Sequence, residues 1–185
     1  MGCKIFISAS SLFLGAGTLL LLPAGWWFGA LFAAASHELC HYGALKMLGI
    51  RVISVRIYPF GAEMETTAME PLQEVLSAMA GPLGSLVLAR YTTGLPELAL
   101  CACFQGCFNL FPVYPLDGGR IFRCLLPETV FRILEYGVLI LVLALGFSLS
   151  ISSRFGIYPL IPGIAAAIAR IRTKFPCKEP RIAVQ

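Results

Sequence analysis

The residues with the clearest chemical potential are two histidines that stand four positions apart with a glutamate next to the first. His37, Glu38 and His41 lie in the hexapeptide Ser-His-Glu-Leu-Cys-His. On an α-helix, residues four apart share one face, one turn from each other. Two imidazoles in that arrangement can bind one zinc ion, and the glutamate can act as a general base on a water molecule that the metal activates. This spacing therefore predicts a catalytic metal site.

The surroundings of this motif strengthen that interpretation. His37 and His41 are the only histidines in the chain, and they lie inside an apolar run over residues 25–48. Ionisable side chains are costly at membrane depth, where they are typical of functional sites. The alternative is a pair of polar side chains that hydrogen-bond between packed helices without binding a metal.

The composition predicts a polytopic membrane protein. Of the 185 residues, 58% are hydrophobic and only 13% are charged, and the mean hydropathy is +0.82. Soluble domains carry about 25% charged residues. The length predicts one domain, or two at most, and we expect a single membrane-embedded domain. The seven cysteines are odd in number and most lie in apolar segments, so we interpret them as small hydrophobic residues rather than as disulfide partners.

Apolar segments predict about six membrane-spanning helices. They cover residues 5–22, 25–48, 71–90, 95–111, 131–150 and 158–169. The first resembles a signal peptide, but no small-x-small cleavage site follows it, so we expect an uncleaved helix. Near the start of the fifth, Arg132 and Glu135 are three apart, a spacing at which they can pair on the helix surface.

Residues 51–65 differ from these spans. The segment is rich in β-branched residues, partly alternates in polarity and contains Pro59 and Gly61. It predicts one or two short strands at the membrane surface, with a plain connecting loop as the alternative. The fold class that we expect is therefore an all-α membrane protein with a small surface β element.

The positions of lysine and arginine predict the orientation in the membrane. With six spans, twelve of the fourteen basic residues fall on the side of the termini, and only Arg90 and Arg154 fall on the other. Positive charges favour the cytoplasmic side, so both termini are expected there. The basic tail, residues 170–185, fits this topology signal, and we expect no nucleic-acid partner.

A third metal ligand has to come from a residue other than histidine. Catalytic zinc usually has three protein ligands and one open position. Asp117 is a candidate, because the prolines and glycines around it break helical structure and such breaks at membrane depth line buried or polar sites. A solvated turn is the alternative for Asp117. Cys101, Cys103 and Cys107 could also bind metal, although helix packing explains them more simply.

The two motifs together resemble the site-2 protease family of intramembrane zinc metalloproteases. That family pairs an HExxH helix with a later Asn-x-x-Pro-x-x-Pro-Leu-Asp-Gly-type motif, which here spans residues 109–118. Weaker similarities are Phe60-Gly61 and the segment at residues 80–82. The resemblance covers a core of about residues 25–123 and is strongest to the sporulation-type branch. That branch often has a C-terminal nucleotide-binding CBS domain, which is not visible here, and neither is a PDZ-like insertion.

The resemblance implies a role for each motif residue. Asp117 would be the third zinc ligand beside His37 and His41, and Glu38 would be the catalytic base. The surface strand with Phe60 and Gly61, together with Asn109, would hold the substrate.

The implied function is an intramembrane zinc endopeptidase. It would cleave a membrane-associated regulatory precursor, such as a sporulation sigma-factor precursor, in the bacterial cell membrane. The lipid bilayer and membrane regulatory proteins are the other expected partners. Two alternatives stay open, a membrane metal-binding protein and a catalytically silent scaffold. Glu38 favours the enzyme, because metal binding alone requires no base beside the ligands.

Overall fold

The computed structural model describes residues 4–7, 23–58, 61–152 and 160–172. The chain divides into two compact units, Met1–Asn109 and Leu110–Gln185. Most of the described residues are helical, and a small sheet belongs to the first unit. The expected combination of helices with a small β element is therefore confirmed, while the single domain stays a prediction.

The described residues of the first unit form three helices, α1 (Ala24–Met47), α2 (Pro71–Tyr91) and α3 (Pro96–Asn109). They pack against one another in all three pairs. Helix α1 matches the second predicted span. It ends where Gly49 adopts a φ of +72°, a left-handed conformation that glycine accepts without steric penalty and that commonly follows a helix.

Helix α2 matches the third predicted span and contains Pro82 in its interior. A capping box begins the helix, in which the Glu70 backbone N–H donates to Gln73 Oε1 at 2.9 Å. A Cβ added at Gly106 of α3 would lie 3.1 Å from the Pro82 carbonyl oxygen. Small residues thus allow these two helices to approach closely, as the sequence predicted.

The sheet of the first unit has three strands in the order β1 (Lys4–Ile7), β2 (Val52–Tyr58) and β3 (Gly61–Thr66). Strands β2 and β3 form an antiparallel hairpin, which confirms the predicted β element. Strand β1 pairs in parallel with the other edge of β2. The prediction of a helix from residue 5 is therefore wrong for residues 5–7, where β-branched and aromatic residues pair with β2. Residues 8–22 lie outside the described part of the chain.

The second unit contains α4 (Asp117–Leu125), α5 (Glu128–Ser152) and α6 (Ile161–Arg172). Helix α5 packs against both α4 and α6. Helix α5 includes the whole fifth predicted span, and α6 covers the end of the sixth, whose residues 158–159 are outside the described ranges. Helix α4 was not predicted, because the prolines before it and the glycines at its start indicated only a break.

Two of the described helices, α2 and the segment Glu128–Ile151 of α5, are long and apolar enough to cross a membrane. Helix α3 has 14 residues and ends at Asn109, two residues before the predicted end of the fourth span. At 1.5 Å per residue it extends about 21 Å, less than the ~30 Å of a bilayer core. The topology of about six spans therefore stays a prediction.

The predicted surface pair between Arg132 and Glu135 is wrong. Arg132 Nε instead contacts Glu128 Oε1 at 3.0 Å, one turn earlier on the exposed face. Glu135 is completely buried, and its carboxylate contacts Arg170 of α6. The spacing allowed either arrangement, but Glu135 lies on the face of α5 that packs against α6.

Candidate metal centre

Helix α1 carries the two histidines on its buried face. His37 is 2% exposed and His41 is 8% exposed, whereas Glu38 between them is half-buried. The Nε2 atoms of the two rings face each other at 3.1 Å, and the rings are nearly perpendicular at 83°. The regular helix thus brings two imidazole nitrogens to one point, as their spacing predicted.

Helix α2 fixes the orientation of both rings through their other nitrogens. His41 Nδ1 donates a hydrogen bond to the Ser77 carbonyl oxygen at 2.7 Å, since a carbonyl can only accept. His37 Nδ1 lies 2.9 Å from the hydroxyl of the fully buried Ser85. A proton on Nδ1 leaves the lone pair of a neutral imidazole on Nε2. The contact with Ser77 therefore makes His41 Nε2 available as a metal ligand.

Gly81 lies between these two contacts on α2 and leaves open the space beside the nitrogens. A Cβ at this position would lie 2.8 Å from His37 Nε2 and closer still to His41 Nε2. Contacts under 3.0 Å are essentially never made by a real Cβ. Any other residue at position 81 would therefore displace one of the rings or occupy the space where the two nitrogens converge.

Gly84 marks another close approach between α1 and α2. A Cβ at this position would meet the Cys40 sulfur. Cys40 is a free, half-buried thiol that stands between the two histidines in sequence. Its contact places the thiol against α2, where it fills space between helices, as the sequence predicted for most of the cysteines.

In the second unit, Asp117 is the first residue of α4 and is 7% exposed. The Arg120 guanidinium lies 3.7 Å from its Oδ1, one turn later on the same helix. Carboxylates are favoured in the first turn of a helix, where free backbone N–H groups carry partial positive charge. Asp117 is therefore a buried carboxylate and not a solvated turn residue.

The two glycines after Asp117 let α4 pack directly on the preceding segment. A Cβ at Gly118 would meet the Leu110 carbonyl group, and one at Gly119 would lie 2.5 Å from the Tyr114 backbone nitrogen. Both glycines are buried. The Asp-Gly-Gly sequence thus permits contact between α4 and the backbone of residues 110–114, a packing role that the sequence analysis did not assign.

The structure shows fewer defined contacts for the candidate substrate-binding residues than for the candidate metal ligands. Asn109 ends α3, and its Nδ2 donates to the Gln105 carbonyl at 3.1 Å within the same helix. Gly61 begins β3 and pairs with Tyr58, so it belongs to the turn of the hairpin. Phe60 lies outside the described residues. Strand β3 is at one edge of the sheet.

Sequence reasoning missed the residues of α2 that orient the histidines. Ser77, Gly81 and Ser85 are spaced by four and lie on one face of α2. The segment around Gly81 was interpreted as helix packing alone. Its regular spacing of small residues, combined with two hydroxyl groups, was the signal that could have indicated a surface facing the histidines.

Comparisons with known proteins give related sequences and related structures. No protein-family profile matches the chain. A zinc metalloprotease of Methanocaldococcus jannaschii is 31% identical over 106 residues, which are 50% of this chain and 31% of that protein. A candidate zinc metalloprotease of Mycobacterium tuberculosis is 31% identical over 57% of this chain and 32% of its own length. The chain thus spans about a third of the length of these relatives.

The structural comparison covers nearly the whole chain. A site-2 protease from Methanocaldococcus jannaschii matches with a TM-score of 0.69 and 19% sequence identity. The match includes 92% of this chain and 90% of that chain. This chain therefore has the fold of that site-2 protease.

Proposed function

We propose that this chain is a zinc metalloprotease that acts within a membrane. The observation that carries the proposal is the convergence of His37 Nε2 and His41 Nε2 at 3.1 Å beside the space that Gly81 leaves open. The partial similarity to proteins named zinc metalloproteases supports it. Because the chain spans only about a third of those relatives, the activity is proposed here from its own residues.

The residues fit zinc in both donor type and spacing. Zinc binds imidazole nitrogen at about 2.0–2.1 Å in tetrahedral geometry, which separates two such nitrogens by about 3.3 Å. The observed 3.1 Å is close to that value. We propose the buried Asp117 carboxylate as the third ligand, since two histidines and one carboxylate are a known ligand set of catalytic zinc.

When bound, zinc supplies a Lewis acid that polarises the scissile carbonyl and lowers the pKa of water. Glu38 would then accept a proton from the attacking water and pass it to the nitrogen of the leaving amine. Its position next to His37, on a half-buried part of α1, suits a group that must reach both water and substrate. The contacts from α2 would hold the histidines in one orientation during this proton transfer.

A substrate helix hides its peptide bonds, so it must unwind before cleavage. The outer edge of β3 has unpaired backbone groups among the described strands and could hold an extended segment by strand addition. We propose that Gly61 of this strand contributes to substrate binding, as do Phe60, which lies outside the described residues, and Asn109.

The finer identity of the substrate is a separate proposal. The motif resemblance to the sporulation-type branch favours a membrane-associated regulatory precursor, such as a sporulation sigma-factor precursor. The charge distribution favours a multi-pass protein with both termini in the cytoplasm of a bacterial cell. Membrane regulatory proteins would be further partners.

The test compares Glu38→Gln with Glu97→Gln, a half-buried glutamate of α3, on purified protein. Zinc content is measured on the same preparation that is assayed against a panel of membrane-anchored reporter proteins. Glu38→Gln leaves the ligands intact, so zinc content should stay unchanged while cleavage falls about 10²–10⁴-fold, the usual loss for a general base. Glu97→Gln should resemble the wild type in both measurements.

Two results would contradict the proposal. Full cleavage by Glu38→Gln would mean that this glutamate is not the base. Normal zinc content without cleavage of any reporter by the wild type would favour the alternative, a membrane metal-binding protein without proteolytic activity.

A further inference from the structure

A buried carboxylate in the second unit joins two helices to the segment that precedes Asp117. Glu135 of α5 is 0% exposed. Its Oε1 lies 2.9 Å from Arg170 Nε of α6 and accepts a hydrogen bond of 2.9 Å from the Tyr114 backbone N–H. The Arg170 side chain is 11% exposed, and its contact with Glu135 is an ion pair whose N–H is not aligned for a hydrogen bond. One oxygen therefore holds both a side chain and a peptide group.

Such a pair is a poor way to stabilise helix packing alone. Removing two charges from water carries a penalty that their attraction often fails to offset, and apolar residues of similar size are frequently as stable. In addition, Glu135 Oε2 makes no hydrogen bond to any residue in the described ranges. The arrangement is better explained by the hydrogen bond that Glu135 Oε1 accepts from the Tyr114 backbone.

Tyr114 is fixed at two points. Its N–H is held by Glu135, and its ring lies beneath the Arg123 guanidinium of α4 at 5.3 Å from the ring centroid. Asp117 follows only three residues later, and Gly119 packs against the Tyr114 backbone. Tyr114 is therefore tied both to α5 and to α4, the helix that begins at Asp117.

We propose that the Glu135 carboxylate is a brace that positions Asp117 for metal binding through the Tyr114 backbone N–H, and that Arg170 balances its buried charge. Glu135 is a positioning residue and does not touch the metal or the substrate. The inference rests on the proposed role of Asp117 as a zinc ligand. It assigns a role in the metal centre to α5, whose sequence contains no residue of either motif.

The test uses two double variants that differ by one hydrogen-bond acceptor. Glu135→Gln with Arg170→Met removes both charges but keeps an oxygen for the Tyr114 N–H. Glu135→Met with Arg170→Met removes that oxygen as well. Because neither leaves an unpaired buried charge, both should fold, as judged by circular dichroism and thermal unfolding.

The readout is the binding of Co²⁺ to the detergent-solubilised protein, followed by its visible absorption spectrum. The variant with Gln should match the wild type in affinity and spectrum. The variant with Met should bind Co²⁺ about 10–100-fold more weakly, as is typical for loss of a group that supports a ligand, and its spectrum should change. Equal affinity and identical spectra for the two folded variants would overturn the brace.

Two further variants separate this inference from the proposed function. If the variant with Met does not fold, Glu135→Asp keeps the charge but retracts the carboxylate by one methylene, and it should weaken Co²⁺ binding in the same way; wild-type affinity would overturn the brace. Asp117→Ala tests the ligand itself. Full Co²⁺ affinity in Asp117→Ala would overturn the ligand assignment and the brace together. If Asp117→Ala binds Co²⁺ weakly but the variant with Met binds it as tightly as the wild type, only the brace is overturned.

Discussion

The two regions that supply the candidate ligands are built by different means. The histidines stand on α1, a regular helix of 24 residues, and are oriented by hydrogen bonds to α2. Asp117 begins a helix of nine residues that packs through its glycines on residues 110–114, and we propose that the buried Glu135 helps to position it. The first region is fixed by helical periodicity and the second by contacts between residues far apart in sequence. A substitution in the histidine region should therefore disturb the ligands directly. A substitution in the Asp117 region should act by displacing the backbone that carries the carboxylate.

The largest effect is expected from Gly81→Ala in the histidine region. The added Cβ would meet the Nε2 atoms of both histidines, so the rings must turn away from each other. Zinc content should fall to that of a His37→Ala variant, which has lost one of three ligands. The matched control is Gly43→Ala on α1, where a Cβ would have no neighbour within 4 Å. Zinc measured by mass spectrometry would contradict the geometry if Gly81→Ala retained the wild-type amount.

A smaller effect is expected from Gly118→Ala in the Asp117 region. The added Cβ would meet the backbone of Leu110 and Phe111, which has to shift. Overpacking of this kind typically destabilises a protein by about 1–3 kcal/mol. We expect a lower thermal unfolding temperature together with weaker zinc binding. An unchanged unfolding temperature with normal zinc affinity would show that this packing does not position Asp117.

These two regions also differ in how well they could be predicted from sequence. The spacing of His37 and His41 determines the relative position of their side chains, because every helix places residues four apart on one face. One or two short strands in the region of β2 and β3 were likewise indicated by local residue types. In contrast, α4 follows a segment with two prolines and has two glycines in its first turn, and only its packing against residues 110–114 shows why those glycines are needed.

Contacts between distant residues account for the other differences. Strand β1 forms because residues 4–7 pair with β2, about fifty positions later, and nothing local separates that strand from the start of an apolar helix. Glu135 looked like a surface residue because Arg132 is three positions away. Its actual partner, Arg170, is 35 positions away on another helix. Periodicity within one segment contains no information about such partners.

The smallest effect is expected from the two serines of α2, and it sharpens the account of the histidine region. Ser85→Ala removes the hydroxyl that contacts His37 Nδ1 and should weaken zinc binding about 10–100-fold. Ser77→Ala should leave zinc binding unchanged, because His41 contacts the backbone carbonyl of that residue and the hydroxyl bonds within α2. The zinc affinities of both variants can be measured by titration. A lower zinc affinity for Ser77→Ala than for Ser85→Ala would contradict the proposed orientation of the histidines.

The central proposal is that His37, His41 and Asp117 are ligands of one zinc ion. X-ray absorption spectroscopy of the zinc-loaded wild-type protein tests it directly, because Zn–N and Zn–O distances are about 2.0–2.2 Å whereas Zn–S distances are about 2.3 Å. We predict two histidine ligands, oxygen in the remaining positions and no sulfur, with one oxygen lost in Asp117→Ala. A sulfur ligand, or a spectrum that Asp117→Ala leaves unchanged, would contradict the proposal.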